Sequence, residues 1–515
     1  MQFTSVDLFA GIGGFRIAVE QCGGHTIAFS EIDTDAINYY CTNHFDNQSY
    51  NLGDITVITD LPKHDLLTAG VPCQSWSIAG KNLGFDDKRG QLWNNTLSLL
   101  EKTKPKAFIF ENVKGLADPR NFEALSYIMT RIKNAGYFAD YFVLNSKDYG
   151  VPQSRVRIFI IGFSNRQSFD RFNLPMATKT KYTLADYIED DIININSNKS
   201  AELIGDYDLF GDPINKANST SLSSNNNGFN DYFLFNDLRN GNTTIHSWDI
   251  IETTQKQKNI CLALLRNRRK KDFGPLDGNP LSLVQFGSID SSITEEDINA
   301  LVKIGILEEE DYAYSVNTYY QNTALSKDEV YILEQQNQGV LIPDKITANN
   351  SKRNIKAKDI LKKLNEKGVV QCVETRYDFS NTKISSGING ISRIFLPSSN
   401  IFPTLVASDS NDYITPVSIK AIDEVSYRES FIKHVVQASN YRKITKKEAC
   451  RIQGFPDDFI LPDSRSRWMK LIGNSVSVPL VTKLVNAVVE TGIFLTNESS
   501  SNVTITSSPL FEMVT

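Results

Sequence analysis

Two hydrophobic periods take turns along the first third of the chain. The run "FTSVDLFAG", Phe3 to Gly11, is strand-like and ends on glycine, and "GGFRIAVEQCG" follows as a short amphipathic helix stopped by glycine. "HTIAFSEID" reads as the next strand, with "HDLLTAGVPC", "PKAFIFENV" and "VRIFIIGF" as later ones. Strands alternating with helices predict an α/β fold with a doubly wound, mostly parallel sheet. After about residue 165 this rhythm stops, and residues 190 to 240 are rich in Asn, Ser, Asp and Gly. Compact patterns return near residue 440 with "KITKKEACRIQGFPDDF" and "LIGNSVSVPLVTKLVNAVV". In the second of these Leu480, Val481, Leu484, Val485 and Val488 form one helical stripe, and Pro479 suits the first turn. Such a stripe must be buried, and the open face of the sheet is its natural partner. The expected organisation is a catalytic and cofactor-binding part over 1–180, an insert over 181–440, a return over 441–496 and a flexible tail over 497–515.

Composition narrows the class. The chain has 515 residues, 41% hydrophobic and 22% charged, which is ordinary for a globular protein. No apolar run approaches the length of a membrane span, and "MQFTSVDLFAGIGGF" lacks the basic start of a signal peptide. Cys22, Cys41, Cys73, Cys261, Cys372 and Cys450 are scattered without a C-x-x-C pair. That argues against a disulfide framework or a metal site and for a reducing, cytoplasmic setting. The net charge of −6 leaves nucleic-acid binding to local basic patches.

The turn "DLFAGIGGF" joins strand to helix through Gly11 and Gly13. Such a turn lets backbone approach a ligand, with helix N–H groups available to it. Taken alone it is equally compatible with a tight structural turn. Glu31 ends the second strand about twenty residues on, where doubly wound folds set an acid against ribose hydroxyls. Asp54 and Ile55 are placed to end a third strand, the acid accepting from an adenine amino group and Ile55 packing on the ring. No Lys-Ser/Thr pair marks a P-loop, so an adenosine-bearing ligand is indicated without further identity.

Three more segments fall at strand ends of the same sheet. They are the Pro72-Cys73-Gln74 loop, Glu111-Asn112 after "AFIF", and Arg155 and Arg157 in "VPQSRVRIF". Ligands of open parallel sheets bind beyond the carboxyl ends of the strands, so Cys73 and Glu111 would converge. Alternation puts both arginines on one face, within reach of the cleft. Buried cysteines normally sit among apolar side chains, yet Cys73 is followed by Gln74, Ser75 and Ser77. A thiolate is a strong carbon nucleophile, a carboxyl can protonate a ring nitrogen, and arginine can hold a carbonyl oxygen. Each residue has a plain reading too: an inert thiol, a helix cap, surface arginines.

Taken together, "DLFAGIGGF", "EID", "GDI", "GVPCQSWS", "ENV", "QSRVR", "EACRIQGFPDDF" and "GNSVSVP", in this order, resemble a DNA (cytosine-5)-methyltransferase of the bacterial restriction–modification type. The resemblance covers roughly residues 1–165 and 440–490. It implies a Rossmann-like S-adenosylmethionine-dependent methyltransferase sheet carrying a large inserted target-recognition domain. S-adenosylmethionine would be held by Phe9, Ala10, Gly11, Gly13, Glu31, Ile32, Asp54 and Ile55, with Pro72, Leu92, Asn474 and Val476 lining the site, and would leave as S-adenosylhomocysteine. Cys73 would add to carbon 6 of cytosine with Glu111 at ring nitrogen 3. Arg157 would hold the cytosine carbonyl oxygen, and Arg155 would orient Glu111 or the base. The target base must be flipped out of its stack, at a cost of a few kcal/mol. Gln74 or Ser77 would fill the vacated space, and Arg89 belongs to the same glycine-punctuated loop, a candidate lid. The partners implied are double-stranded DNA and a cognate restriction endonuclease, for a monomer without metal. Trp76 replaces a commoner Phe, and Ala79 stands where some members have a second serine.

The insert is long for a recognition domain. "LLRNRRKKDFG" is a basic run that could face phosphates or simply solvent. "EEDINALVKIGIL" and "AKDILKKLNEKGVVQCV" share a helix–glycine–strand form that suggests winged-helix-like units, packing elements being the plainer reading. "FPTLVAS" resembles the Thr-Leu pair that closes the family's recognition domain, making Thr404 a backbone-contact residue. Two rival readings exist: a catalytically dead DNA-binding relative, and a tRNA-modifying enzyme. The first is opposed by the joint presence of Cys73, Glu111 and Arg157, the second by the size of the insert.

Overall fold

The computed structural model describes residues 3–45, 47–72, 91–178, 182–197, 232–235, 244–274, 278–317, 324–336, 339–343, 346, 357–380, 388–421 and 423–495. The chain begins β1 (Phe3–Leu8), α1 (Gly14–Gln21), β2 (Gly24–Ser30), α2 (Thr34–His44) and β3 (Leu66–Gly70). It continues α3 (Gln91–Thr103), β4 (Ala107–Val113), α4 (Phe122–Asn134), β5 (Phe138–Asn145), β6 (Gln153–Ser154) and β7 (Val156–Phe163). Six strands form one sheet in the order β2-β1-β3-β4-β7-β5. The first four are parallel, while β7 runs antiparallel to both neighbours. The short path from β5 to β7 holds no crossover helix, and only antiparallel strands can be joined that way. The antiparallel pair departs from the mostly parallel reading only at this edge, because a hydrophobic run records burial and not direction.

Alternating side chains divide the sheet between two cores. Val6, Leu8, Leu67, Ala69, Phe108, Phe110, Ile158 and Ile160 face α3 and α4. Phe3, Leu66, Ala107, Ile109, Phe159 and Ile161 face α1 and the late helix Val478–Glu490. All five residues of the expected stripe on that helix are fully buried. At about 1.5–3 kcal/mol per side chain, the stripe contributes on the order of 10 kcal/mol to docking the C-terminal part on the sheet. One stretch among the described residues, Arg465–Glu490, has the length and composition of a membrane span, but 67% of its most apolar window is buried inside the protein. It also divides into two helices, Arg465–Asn474 and Val478–Glu490.

The expected third strand at Asp54 does not form. Only Asn51 bridges to Phe29 at the edge of β2. Gly53 then turns the chain with φ of 80°, and Asp54 follows exposed.

The insert leaves and returns side by side, through strand Ile193–Ser197 parallel to Val417–Ala421. Inside it, both predicted helix–strand segments are present. Helix Glu295–Lys303 leads into strand Leu307–Val316, and helix Ala357–Glu366 into strand Val370–Phe379. One constant displacement along the chain carries buried Ile298, Leu301, Ile306 and Leu307 onto buried Leu361, Leu364, Val369 and Val370. The same displacement carries the left-handed Gly305 onto Gly368. Both turns close alike, Ile306 N–H donating to Leu301 O and Val369 N–H to Leu364 O. The two strands pair antiparallel, Leu307 opposite Phe379 and Val316 opposite Val370. Each strand's first residue thus faces the other's last, as a local two-fold axis requires. Of the basic run, Arg268 is turned inward onto Asp378 at 2.7 Å, while Arg266, Lys270 and Lys271 are exposed.

Candidate functional site

Because β1 to β4 run parallel, their carboxyl ends lie at one edge of the sheet. Phe9, the first residue beyond β1, has φ of 55°, a strained conformation that a bulky side chain rarely adopts. Gly11 has φ of 56°, and a Cβ added there would meet nothing within 4 Å, so its backbone faces open space. Gly13 differs: a Cβ would collide with the His44 ring, so this glycine serves packing against α2. Ala10 is buried beside Phe29 and Tyr40. Glu31 spans the turn. Its Oε2 accepts from Gly11 N–H at 2.9 Å, and its Oε1 from Ile32 and Asp33 N–H at 2.7 and 2.8 Å. Ile32 stands 69% exposed beside this carboxylate, an unusual place for a large apolar side chain. A hydrogen-bonding acid, an apolar face and an open glycine backbone fit an adenosyl group. Asp54 is exposed nearby, its Oδ1 accepting from Thr56 N–H at 2.8 Å, whereas the Ile55 side chain is buried in the core. Leu92 packs partly against that same core.

The far end of the chain closes this turn. A Cβ on Gly14 would lie 2.8 Å from Val476 Cγ2 and 2.9 Å from Ser475 Oγ, so the Gly-Asn-Ser segment touches the glycine turn. Val476 is buried and Asn474 exposed. Asp7, which sequence reasoning passed over, lies beneath the turn with 1% exposure. Burial pushes its carboxyl up to about 7, against the Thr68 hydroxyl that donates to Oδ1 at 2.8 Å.

On the next strands Glu111 and Arg157 come together. Glu111 is two residues before the end of the register that sets Val113 opposite Arg157. Arg157 Nε lies 3.0 Å from Glu111 Oε1, the side chains 17% and 11% exposed. The pair is close but not aligned as a hydrogen bond, so this buried oxygen keeps hydrogen-bonding capacity. Val71 N–H donates to Glu111 O, and Asn112 Nδ2 donates to Val71 O at 3.2 Å. Asn112 therefore braces the point where Pro72 leads out of β3. Cys73, Gln74, Ser77 and Arg89 lie outside the described residues.

Arg155 is placed elsewhere. β7 begins at Val156, so Arg155 sits in the break after β6 and the alternation argument does not reach it. Its Nη1 donates to Leu405 O and Gly473 O, and its Nη2 to Gly473 O and to Ser475 O at 2.7 Å. It is 2% exposed and ties the return segments to the sheet. Gln153 joins the same knot, donating to Gln453 Oε1 at 2.7 Å, while Gln453 donates to Ser475 O. Thr404, expected at a DNA backbone, spends its hydroxyl on Ser154 O at 2.7 Å. Among the described residues no group of His, Cys, Asp and Glu is arranged to hold a metal.

Chemically, this edge offers a buried carboxyl beside a guanidinium, a braced loop exit and an open glycine backbone held by an acid. A family model described as C-5 cytosine-specific DNA methylase matches residues 3–490. The Type II methyltransferase M.HgiBI of Herpetosiphon aurantiacus is 38% identical over 487 residues, 94% of this chain and 96% of that protein. The Type II methyltransferase M.BanI of Aneurinibacillus aneurinilyticus is 30% identical, covering 94% and 95%. Among solved structures, the S. pombe Dnmt2 methyltransferase aligns with a TM-score of 0.44 at 13% identity, over 95% of this chain and 99% of that one.

Proposed function

Because the chain belongs to the C-5 cytosine-specific DNA methylase family, and is a DNA (cytosine-5)-methyltransferase of the type II restriction–modification kind, we propose that it methylates a flipped-out cytosine through a covalent Cys73 adduct. The observation that carries this reading is the Glu111–Arg157 pair beside the exit of β3, the strand that leads into Pro72-Cys73. The Cys73 thiolate forms a bond to carbon 6 of the base while Glu111 delivers a proton to ring nitrogen 3. Carbon 5 is thereby made electron-rich. Arg157 keeps Glu111 in place and offers its remaining N–H groups to the base carbonyl. S-adenosylmethionine, when bound, supplies the methyl group and leaves as S-adenosylhomocysteine. Water takes the carbon-5 proton, the freed electron pair re-forms the carbon 5–carbon 6 double bond as Cys73 leaves as thiolate, and Glu111 takes back its proton from nitrogen 3.

Phe9, Gly11, Glu31, Ile32 and Asp54 would hold the cofactor's adenosyl part, with Pro72, Leu92, Asn474 and Val476 around it. The insert would read double-stranded DNA across the cleft. The biological setting we infer is a cytoplasmic monomer protecting DNA from a cognate restriction endonuclease. Trapping tests the chemistry. Incubation with S-adenosylmethionine and DNA containing 5-fluorocytosine should leave a covalent complex, mapped to Cys73 by peptide mass. Cys73→Ser should bind DNA and give no adduct; an adduct on that variant would defeat the assignment.

A further inference from the structure

The helix Arg465–Asn474 belongs to the return segment, yet it grips the turn that carries Glu31. Lys470 Nζ pairs with Asp33 Oδ2 at 2.5 Å, and Arg467 Nε with Asp35 Oδ2 at 2.8 Å. Asp33 has three tasks. Its Oδ1 caps α2 by accepting from Asp35 and Ala36 N–H at 3.0 and 3.2 Å. Its Oδ2 meets Lys470, and its own N–H donates to Glu31 Oε1. A continuous path of polar contacts thus runs from Lys470 through Asp33 to Glu31, and on from Glu31 Oε2 to the glycine turn at Gly11. The other end of the helix is anchored too, its Gly473 carbonyl held by Arg155.

We propose that Lys470 is a positioning residue for Glu31, acting through Asp33, so that cofactor affinity depends on a side chain of the return segment. The proposal rests on the reading of the glycine turn as the S-adenosylmethionine site. Lys470 is 55% exposed on its side chain, so truncating its charge opens no cavity. What changes is the tether on Asp33. Without it the N-terminal turn of α2 and the Asp33 N–H are free to shift, Glu31 gains alternative rotamers, and ordering it on binding costs affinity. The Glu111–Arg157 pair lies on other strands, so the chemical step at saturating cofactor does not depend on this tether. Arg467 holds the neighbouring Asp35 and plays the lesser part, because Asp35 N–H is bonded to Asp33 and not to Glu31.

The test uses the full chain, with Lys470→Met, Lys470→Arg and Arg467→Met. Calorimetry with S-adenosylmethionine in the absence of DNA should show Kd raised about threefold to fivefold in Lys470→Met, the range of an exposed but well-formed ion pair. The KM for S-adenosylmethionine should rise by the same factor while kcat and the melting temperature hold. Lys470→Arg should restore both values, Arg467→Met should have a smaller effect, and added salt should narrow the gap. An unchanged Kd in Lys470→Met, a fall in kcat at constant KM, or failure of Lys470→Arg to rescue would each overturn the proposal. If the wild-type chain gave no heat of binding, the cofactor reading itself would fall, and this proposal with it.

Discussion

Replacing Arg155 with methionine separates two roles that a motif alone cannot distinguish. The resemblance implies that Arg155 acts on Glu111 or the base; the structure aims it at three backbone carbonyls of the return segments. Gly473 lies in the last turn of its helix, where carbonyls lack intrahelical partners, so the guanidinium acts as a C-terminal cap with the favourable sign for the helix dipole. Methionine keeps much of the length and loses every donor. Ser475 O retains the Gln453 side chain at 2.8 Å, but Leu405 O and Gly473 O lose these donors. At about 1–3 kcal/mol per buried polar group left unpaired, the loss is about 2–6 kcal/mol. Hydrogen exchange should localise it, with amides across 465–476 exchanging faster, a lower melting temperature, and weaker cofactor binding because Val476 follows directly. Arg155→Lys should recover little, since one ammonium cannot span carbonyls that a planar fork reaches. Wild-type stability and exchange in Arg155→Met, together with a large drop in kcat, would refute this reasoning and return Arg155 to the chemistry.

Other outcomes follow from the same geometry. Glu111→Gln should lower kcat on the order of 100-fold to 10,000-fold, as loss of a general acid does, while calorimetry finds cofactor binding retained. Glu31→Ala should weaken S-adenosylmethionine binding by about 1.5–3 kcal/mol and Asp54→Ala in the same direction, each more than DNA binding in a titration of labelled duplex. Asp7, with its folded pKa raised to about 7 from 3.8, holds its proton more tightly folded than unfolded. Its contribution to stability is therefore complete below the unfolded value and is lost as pH rises towards about 7. Melting of Asp7→Asn against wild type should show a difference in the variant's favour that grows from about pH 4 to about pH 7 and is flat above.

Much of this edge of the sheet was legible because its placement depends on local rules. A glycine turn after a strand, an acid at the end of the next strand and Glu111 within "FENV" follow from periodicity and strand ends. Arg155 was misplaced because alternation holds only within one strand, and a strand break between residues 154 and 156 leaves no mark in hydrophobicity. Asp54 was assigned a strand that a single bridge at Asn51 replaces, since an edge needs few hydrogen bonds to hold a turn. The stripe on Val478–Glu490 predicted its own burial, whereas Asn112 bracing Val71 and Gln153 meeting Gln453 depend on contacts far apart in sequence. Two similar helix–strand segments were visible in the insert, but their mutual pairing was not. Register between distant strands is set by packing, and neither segment announces its partner.

That mutual pairing makes part of the insert a fused dimer. Residues Glu295–Val316 and Ala357–Phe379 meet as two protomers would across a two-fold axis, with the intervening chain acting as their covalent link. Fusion frees the halves to diverge outside the shared core: the exposed Glu295 of one helix corresponds to Lys358 of the other. A true homodimer would have to present identical charges at both places. This chain instead sets unlike charges on either side of one axis while keeping a common core.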